Sequence, residues 1–254
     1  MSRNAISAFL VTLNEADHIA AVIESLRCFD EVVVVDSGST DGTADIARGL
    51  GAQVYHREWL GYAQQKALAA ELCSNDWLLN VDGDEVVTGL LAGELLALAQ
   101  RDDIAAVKIP VNDFILGAPL HGLSRKRKIV RMFRRGMAKY PINRTVHENL
   151  VVEGSIAVAS SELHHFGYDD PNVFFSKQIK YAQLRAADKL QNGTRGSLIR
   201  LLFIAPFTFG KVFVLRGLFF SGYRGLIGAA GESWDAFLKE VNLIRARSSS
   251  EPHE

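Results

Sequence analysis

Three carboxylates stand within four residues at Asp82-Gly83-Asp84-Glu85, directly after the apolar run Trp77-Leu78-Leu79-Asn80-Val81. Like charges this close repel unless cations or hydrogen-bond donors neutralise them, and a divalent metal is the expected neutraliser. The run before them reads as a buried strand. Ligands of an open α/β sheet bind at the carboxyl ends of its strands. The turn would therefore place two hard oxygen ligands in the crevice, with Gly83 permitting the tight path between them. The expected ion is Mg²⁺ or Mn²⁺, bridging the protein to a phosphorylated substrate. Asp-x-Asp alone equally describes a solvated turn, so the assignment depends on its company.

The elements that would position this turn begin at the N-terminus. Ala5 to Leu13 reads as a buried first strand, and Asn14-Glu15-Ala16-Asp17 offers capping side chains to an amphipathic helix from His18 to Leu26. Glu31-Val32-Val33-Val34-Val35 is a β-branched run without periodicity, as expected of a parallel strand covered on both faces. It ends in Asp36-Ser37-Gly38-Ser39-Thr40-Asp41-Gly42-Thr43, which leads into a helix from about Thr43 and so completes a βαβ unit. Small hydroxyls and glycines let a ligand approach this backbone. Asp36 can accept hydrogen bonds from a base or ribose, and Asp41 or Thr43 can cap the helix. The Gly-x-Gly-x-x-Gly dinucleotide pattern is not present here.

Thr12-Leu13-Asn14-Glu15, Val35 to Thr43, and Asp82-Gly83-Asp84-Glu85, in this order and at these separations, resemble the family 2 glycosyltransferases. The resemblance implies an α/β protein with the GT-A nucleotide-diphosphate-sugar binding fold and a mostly parallel central sheet. It also implies a metal-dependent, inverting transfer from a nucleotide-sugar. Carried over residue by residue, it makes Thr12, Asn14, Glu15, Asp36, Asp41, Lys66 and Asp82 donor-binding residues, with Asp82 on the ribose or the metal, and Asp84 and His165 metal ligands. Lys66 would reach the donor phosphates or lie on a solvated helix face. Ser37 departs from the pattern, since many relatives carry a second Asp there; base recognition then falls on Asp36 alone.

The likeness extends along nearly the whole chain. Trp59-x-Gly61-Tyr62-x-x-Gln65-Lys66, Arg131-Met132-Phe133-Arg134, Val146-His147-Glu148 and Leu163-x-His165-x-x-Tyr168, with Lys177 and Tyr181-Ala182, look like the subgroup that adds glucose to the lipopolysaccharide inner core. That subgroup implies UDP-glucose as donor and a lipid-linked saccharide acceptor, the heptose of the inner core. An inverting transferase needs a base to take the acceptor hydroxyl proton, and Glu148 is the candidate. His147 either assists it or is structural. Of His164 and His165 only one can face the site from a strand. An imidazole beside Asp84 would tilt metal preference toward Mn²⁺.

Arg125 to Arg135 holds seven cations and no acid. Its alternation with Val130, Met132 and Phe133 suggests a strand with one basic face, suited to a diphosphate, a phosphorylated acceptor or anionic lipid. Nucleic acid is not an expected partner, since no stacking or helix-turn-helix signal accompanies these cations and the net charge is −1.

From Pro171 to Gly231 there are nine Lys or Arg residues and one acid, Asp188, among clusters of Leu, Ile, Val and Phe. No uninterrupted apolar run reaches the ~18 residues that span a bilayer. Basic amphipathic helices in the membrane interface are the better account, helices packed on a core or in a dimer the plainer one. The expected organisation is a catalytic domain over residues 1–168, a helical membrane-associating segment over 169–247 and a disordered tail over 248–254. Cys28 and Cys73 lack metal-ligand spacing. They suit a reduced setting, and with no leader recognised the chain is expected as a peripheral protein on the cytoplasmic face of the inner membrane.

Rival classes are weaker. Haloacid-dehalogenase phosphatases carry Asp-x-Asp at the first strand, followed by Thr or Val. Sugar nucleotidyltransferases carry a Gly-rich loop with Arg where this chain has Thr12-Leu13-Asn14-Glu15. A non-catalytic membrane-binding scaffold would not need the acidic turn.

Overall fold

The computed structural model describes residues 4–141, 150–168 and 170–248. His147, Glu148 and residues 249–254 of the expected tail lie outside them. The chain divides into two compact units: residues 4–112, 127–141 and 150–165 form the first, and residues 113–126, 166–168 and 170–248 the second.

The first unit opens with β1 (Ile6–Thr12), α1 (Ala16–Leu26), β2 (Glu31–Asp36), α2 (Thr43–Gly49), β3 (Gln53–His56), α3 (Tyr62–Leu72) and β4 (Trp77–Asn80). After β4 come β5 (Glu85–Val87), α4 (Gly89–Leu98), β6 (Ala106–Ile115), then β7 (Ala118–Pro119), which belongs to the second unit, and β8 (Arg127–Arg134). Four short strands complete the set: β9 (Ala138–Lys139), β10 (Val151–Val152), β11 (Ile156–Val158) and β12 (Leu163–Tyr168). The main sheet runs β3-β2-β1-β4-β8-β6-β12-β5. β3, β2, β1 and β4 are parallel, while β8 is antiparallel to both β4 and β6.

Alternation along β1 builds two cores. Ile6, Ala8 and Leu10 face α1 and α4 residues such as Ile23 and Leu95, whereas Phe9 joins Val33, Val35, Leu78 and Phe133 in the other cluster. α1 forms because Ile19, Val22, Ile23 and Leu26 recur at helical spacing, and all four are buried. Its start corrects the expected capping. Glu15 occupies the N-cap but its side chain does not cap the helix, and the amides of Asn14, Glu15 and Ala16 donate to Ser39 Oγ, Thr43 Oγ1 and Asp41 Oδ2 at 2.9, 2.9 and 3.0 Å. The loop after β2 thus caps the helix after β1.

Neither cysteine is in a disulfide; Cys28 is exposed and Cys73 buried. Burial pushes the Cys73 thiol up to about 12, so a thiol reagent at mildly alkaline pH is expected to label Cys28 and spare Cys73 in the folded protein. Mass analysis of the labelled peptides checks this, and equal labelling would contradict the packing around α3.

In the second unit the end of β6 turns back on β7 through Leu116 and Gly117, both at positive φ, as a two-residue hairpin requires. α5 (Pro171–Gln191), α6 (Leu198–Gly210) and α7 (Tyr223–Ser248) follow, with a π-helical turn at Lys211–Leu215 and a 3₁₀ turn at Leu218–Ser221 before α7. α7 approaches its neighbours at glycines. A Cβ on Gly231 would stand 2.1 Å from Phe174, and one on Gly225 would stand 1.8 Å from the Leu218 carbonyl oxygen. Ion pairs Arg185–Asp235 (2.5 Å) and Arg216–Glu232 (2.6 Å) complete the packing.

α6 runs unbroken into the π-helical turn, so Leu198–Leu215 is one 18-residue helical stretch, long and apolar enough by length and composition to cross a membrane. The expectation is that no uninterrupted apolar run reaches this length, and Arg200 and Lys211 do stand within the stretch. Both lie on the helix surface, and neither breaks it.

Candidate functional site

The acidic turn lies between β4 and β5 at the carboxyl end of the parallel strands. Its neutraliser is a protein cation. Arg131, on β8 next to β4, donates from Nη1 to Asn80 Oδ1 (3.0 Å) and from Nη2 to Asp82 Oδ2 and Glu85 Oε1 (2.5 Å each). Lys66 Nζ lies 2.9 Å from Asp82 Oδ1. Within the turn the Asp82 amide donates to Glu85 Oε2 at 3.0 Å. Two carboxylates and two cations therefore balance, so at Asp82 and Glu85 protein cations and hydrogen-bond donors act as the neutralisers that the sequence allowed beside a metal. Arg131 is buried, which overturns its reading as part of a ligand-facing basic strip.

Burial opposes ionisation of Asp82, but Arg131 and Lys66 outweigh it and hold the carboxyl well below the usual carboxylate range. At Glu85, fully buried, the loss of solvent wins over the same guanidinium and pushes the carboxyl up. Burial acts against the Arg131 charge too, yet Asp82 and Glu85 raise its pKa further. Asp82 keeps 36% of its side-chain surface exposed, against 11% for Lys66. It is the member of the group that a ligand can reach.

Asp84 lies instead against His165, with Oδ2 3.6 Å from Nε2. The register of β12 on β5, which pairs His165 with Glu85, brings the imidazole there. His165 Nδ1 is 3.4 Å from an Arg127 guanidinium nitrogen. Both oxygens of Asp82 already hold cations, so the donor set suited to a metal is the Asp84 carboxylate with the His165 imidazole. Among the described residues no group of three or more His, Cys, Asp or Glu side chains comes together as a metal site.

The expected donor-binding residues upstream meet at the ends of β1 and β2, where Thr12 pairs with Asp36. Asp36 is buried and accepts from the Gly38 and Ser39 amides (3.0 Å each), from the Ser39 hydroxyl and from Thr12 Oγ1 (3.4 Å). These four bonds use the acceptor positions of a carboxylate, so Asp36 holds its own loop. Asn14, at φ 56, accepts from the Thr40 amide at 2.9 Å. Asp41 accepts from the Thr43 amide (3.0 Å) and hydroxyl (2.5 Å). The Asp41 carboxyl lies below its ordinary value, chiefly through the Thr43 hydroxyl.

Glu15 borders the acidic turn: a Cβ on Gly83 would fall 2.9 Å from Glu15 Cγ and 3.5 Å from Thr12 Cγ2. Gly83→Ala is therefore expected to cost about 1–3 kcal/mol of stability by overpacking. Denaturant unfolding checks this, and adding Glu15→Ala should recover most of the loss. A Gly83→Ala protein as stable as the parent would refute the close approach.

Gln65 carries a role not read from the sequence. It is buried, donates to Ser37 Oγ (3.2 Å) and the Arg57 carbonyl (3.3 Å), and accepts from the Leu60 amide (3.2 Å). The signal was its place one residue before Lys66. Together they tie the start of α3 to the loop at Ser37 and to Asp82.

A model of glycosyl transferase family 2 matches residues 7–148. A lipopolysaccharide core biosynthesis glycosyltransferase of Rhizobium meliloti is 35% identical over 94% of this chain and 92% of its own length. An uncharacterized glycosyltransferase of Rickettsia felis is 32% identical over 94% of this chain and 89% of its own length. Among solved structures, S. aureus TarS superposes on 93% of this chain and 55% of its own, at a TM-score of 0.50 and 18% identity, a likeness of fold.

Proposed function

Since the chain belongs to glycosyl transferase family 2, we propose that it moves glucose from UDP-glucose, with inversion, onto a lipid-linked saccharide, a heptose of the lipopolysaccharide inner core. The observation that carries the reading is the division of labour at the acidic turn. Asp82 is held ionised by Arg131 and Lys66, and Asp84 lies with His165. The 35% identity to a lipopolysaccharide core glycosyltransferase supports the acceptor class.

Asp82, fixed from both sides and open to solvent on its remaining surface, is suited to accept hydrogen bonds from the donor ribose. The loop over Asp36–Thr43 is laced to the start of α1 and tied through Gln65 to the helix whose Lys66 holds Asp82. Asp84 and His165 would hold Mn²⁺ or Mg²⁺, which when bound offsets charge on the departing diphosphate. Glu148, outside the described residues, takes the proton of the acceptor hydroxyl. The oxygen bonds to the anomeric carbon as the bond to the diphosphate breaks on the opposite face.

Glu148→Gln is expected to lower transfer by ~10²-fold or more while donor affinity stays near that of the parent, and wild-type turnover in this variant would remove Glu148 from the role. The function itself is tested by incubating the protein with metal, lipid-linked acceptor and a panel of nucleotide-sugars and measuring released nucleoside diphosphate. Mass analysis of surface glycolipid with and without the gene complements it. Release from UDP-glucose and loss of one hexose from the core are expected; no release from any donor with an unchanged glycolipid would overturn the proposal.

A further inference from the structure

We propose that the apolar face of Leu198–Leu215 and the turn after it is a docking surface for an anionic lipid bilayer, on which this helix lies in the plane of the interface instead of crossing. No side chain of α6 is buried. Leu198, Ile199, Leu202, Phe203 and Phe207 follow one another at helical spacing on its open side, with Ile199 73% and Leu202 72% exposed. The same exposure continues at Leu215, Phe219 and Phe220. A contiguous apolar surface of this kind marks an interaction site.

Charge identifies the occupant. Between Lys189 and Gly231 there are six Lys or Arg residues and no acid. Arg195, Arg200 and Lys211 are exposed alongside the apolar face, the arrangement that meets anionic headgroups while Leu and Phe side chains enter the acyl boundary. Arg200 and Arg216 are offset by Glu240 and Glu232 of α7, so a second copy docked symmetrically on this face would set Arg195 and Lys211 against their counterparts with no acid in the segment to offset them.

The neighbouring helix decides the orientation. α7 packs along α6: Ser233 Oγ donates to the Ala205 carbonyl and the Ser197 amide to Glu240 Oε1, both at 2.7 Å. α7 brings Glu232, Asp235, Lys239 and Glu240, with Arg185 of α5 paired to Asp235. A crossing α6 would carry these ionisable groups into hydrocarbon, which bilayers strongly disfavour. Lying flat, the helix buries its open side and leaves the charged edge of α7 in water.

The test uses the full chain and vesicles of neutral lipid alone or mixed with an anionic lipid, and involves no step of the transfer reaction. The parent should sediment with anionic vesicles and be partly released by high salt. Leu202→Ser/Phe203→Ser/Phe207→Ser should weaken partitioning by about 100-fold or more. Arg200→Gln/Lys211→Gln should weaken it roughly tenfold on anionic vesicles and little on neutral ones. In a Cys28→Ser background, single cysteines at Asn192, before the helix, and at exposed Arg125, whose amide donates to the Arg216 carbonyl just after it, should both react with an impermeant maleimide added outside sealed vesicles. Protection of one of them would overturn the in-plane orientation. A full-length chain that stays in the supernatant, whether as monomer or as a dimer broken by the triple Ser variant, would overturn the membrane surface.

Discussion

Arg131→Met is expected to destabilise the protein by about 3–5 kcal/mol, the range found when one partner of a buried ion pair is removed. The guanidinium serves Asn80, Asp82 and Glu85 at once from a buried position. A thioether of similar length leaves Glu85 without solvent and without its guanidinium partner. Much of that cost belongs to the stranded carboxylates, so Arg131→Met combined with Asp82→Asn and Glu85→Gln should regain most of the stability. Donor binding should not return with it, because the neutral amide at residue 82 no longer has the charge that Arg131 and Lys66 maintain. Denaturant midpoints and titration with UDP separate the two effects. Arg131→Met unfolding within about 1 kcal/mol of the parent would mean that the carboxylates find other partners.

Asp84→Ala is expected to reduce transfer by about 10³-fold, equivalent to roughly 4 kcal/mol of lost charge stabilisation. The residue is buried in the turn after β4, against His165, and denaturant unfolding separates any lost stability from lost transfer. Its diagnostic signature is in binding: UDP affinity should respond to chelator in the parent and become insensitive to it in the variant. His165→Ala should move in the same direction, given the 3.6 Å approach of its Nε2 to Asp84. Asp82→Asn should differ in kind, weakening UDP binding with the response to chelator preserved, because both Asp82 oxygens face cations of the protein. Equal loss of metal response in the Asp82 and Asp84 variants would return Asp82 to the metal, and unchanged UDP affinity with and without chelator in the parent would remove the metal from the site.

Much of this arrangement was legible in one sequence because its signals are local. The β-branched run Glu31–Val35, the apolar spacing of α1 and the apolar approach to Asp82 each specify an element without reference to the rest of the chain. The loops at Asn14 and Asp36–Thr43 were recognisable by their residue types, but not which side chain bonds which amide: the caps of α1 come from more than twenty residues away. Arg131 was visible as a cation in an alternating strand. Its burial depends on β8 pairing with β4, where Leu79 meets Met132, and one sequence contains no term for that register. The same holds for His165, whose approach to Asp84 follows from β12 lying on β5.

The position of Arg131 also bears on how the chain reaches this structure. Asp82 and Glu85 are contributed early, at the end of the parallel half of the sheet, while their countercharge arrives on a strand 46 to 49 residues later. Until β8 docks against β4, closing of the acidic turn is opposed by its own repulsion. The docking must also bear the loop-closure entropy of the intervening chain. The turn and the β4–β8 pairing should therefore form together, as one cooperative step dominated by long-range contacts and slow relative to the local helices. An N-terminal fragment ending before residue 127 would contain every carboxylate of the acidic turn and still lack Arg131, the means to assemble it.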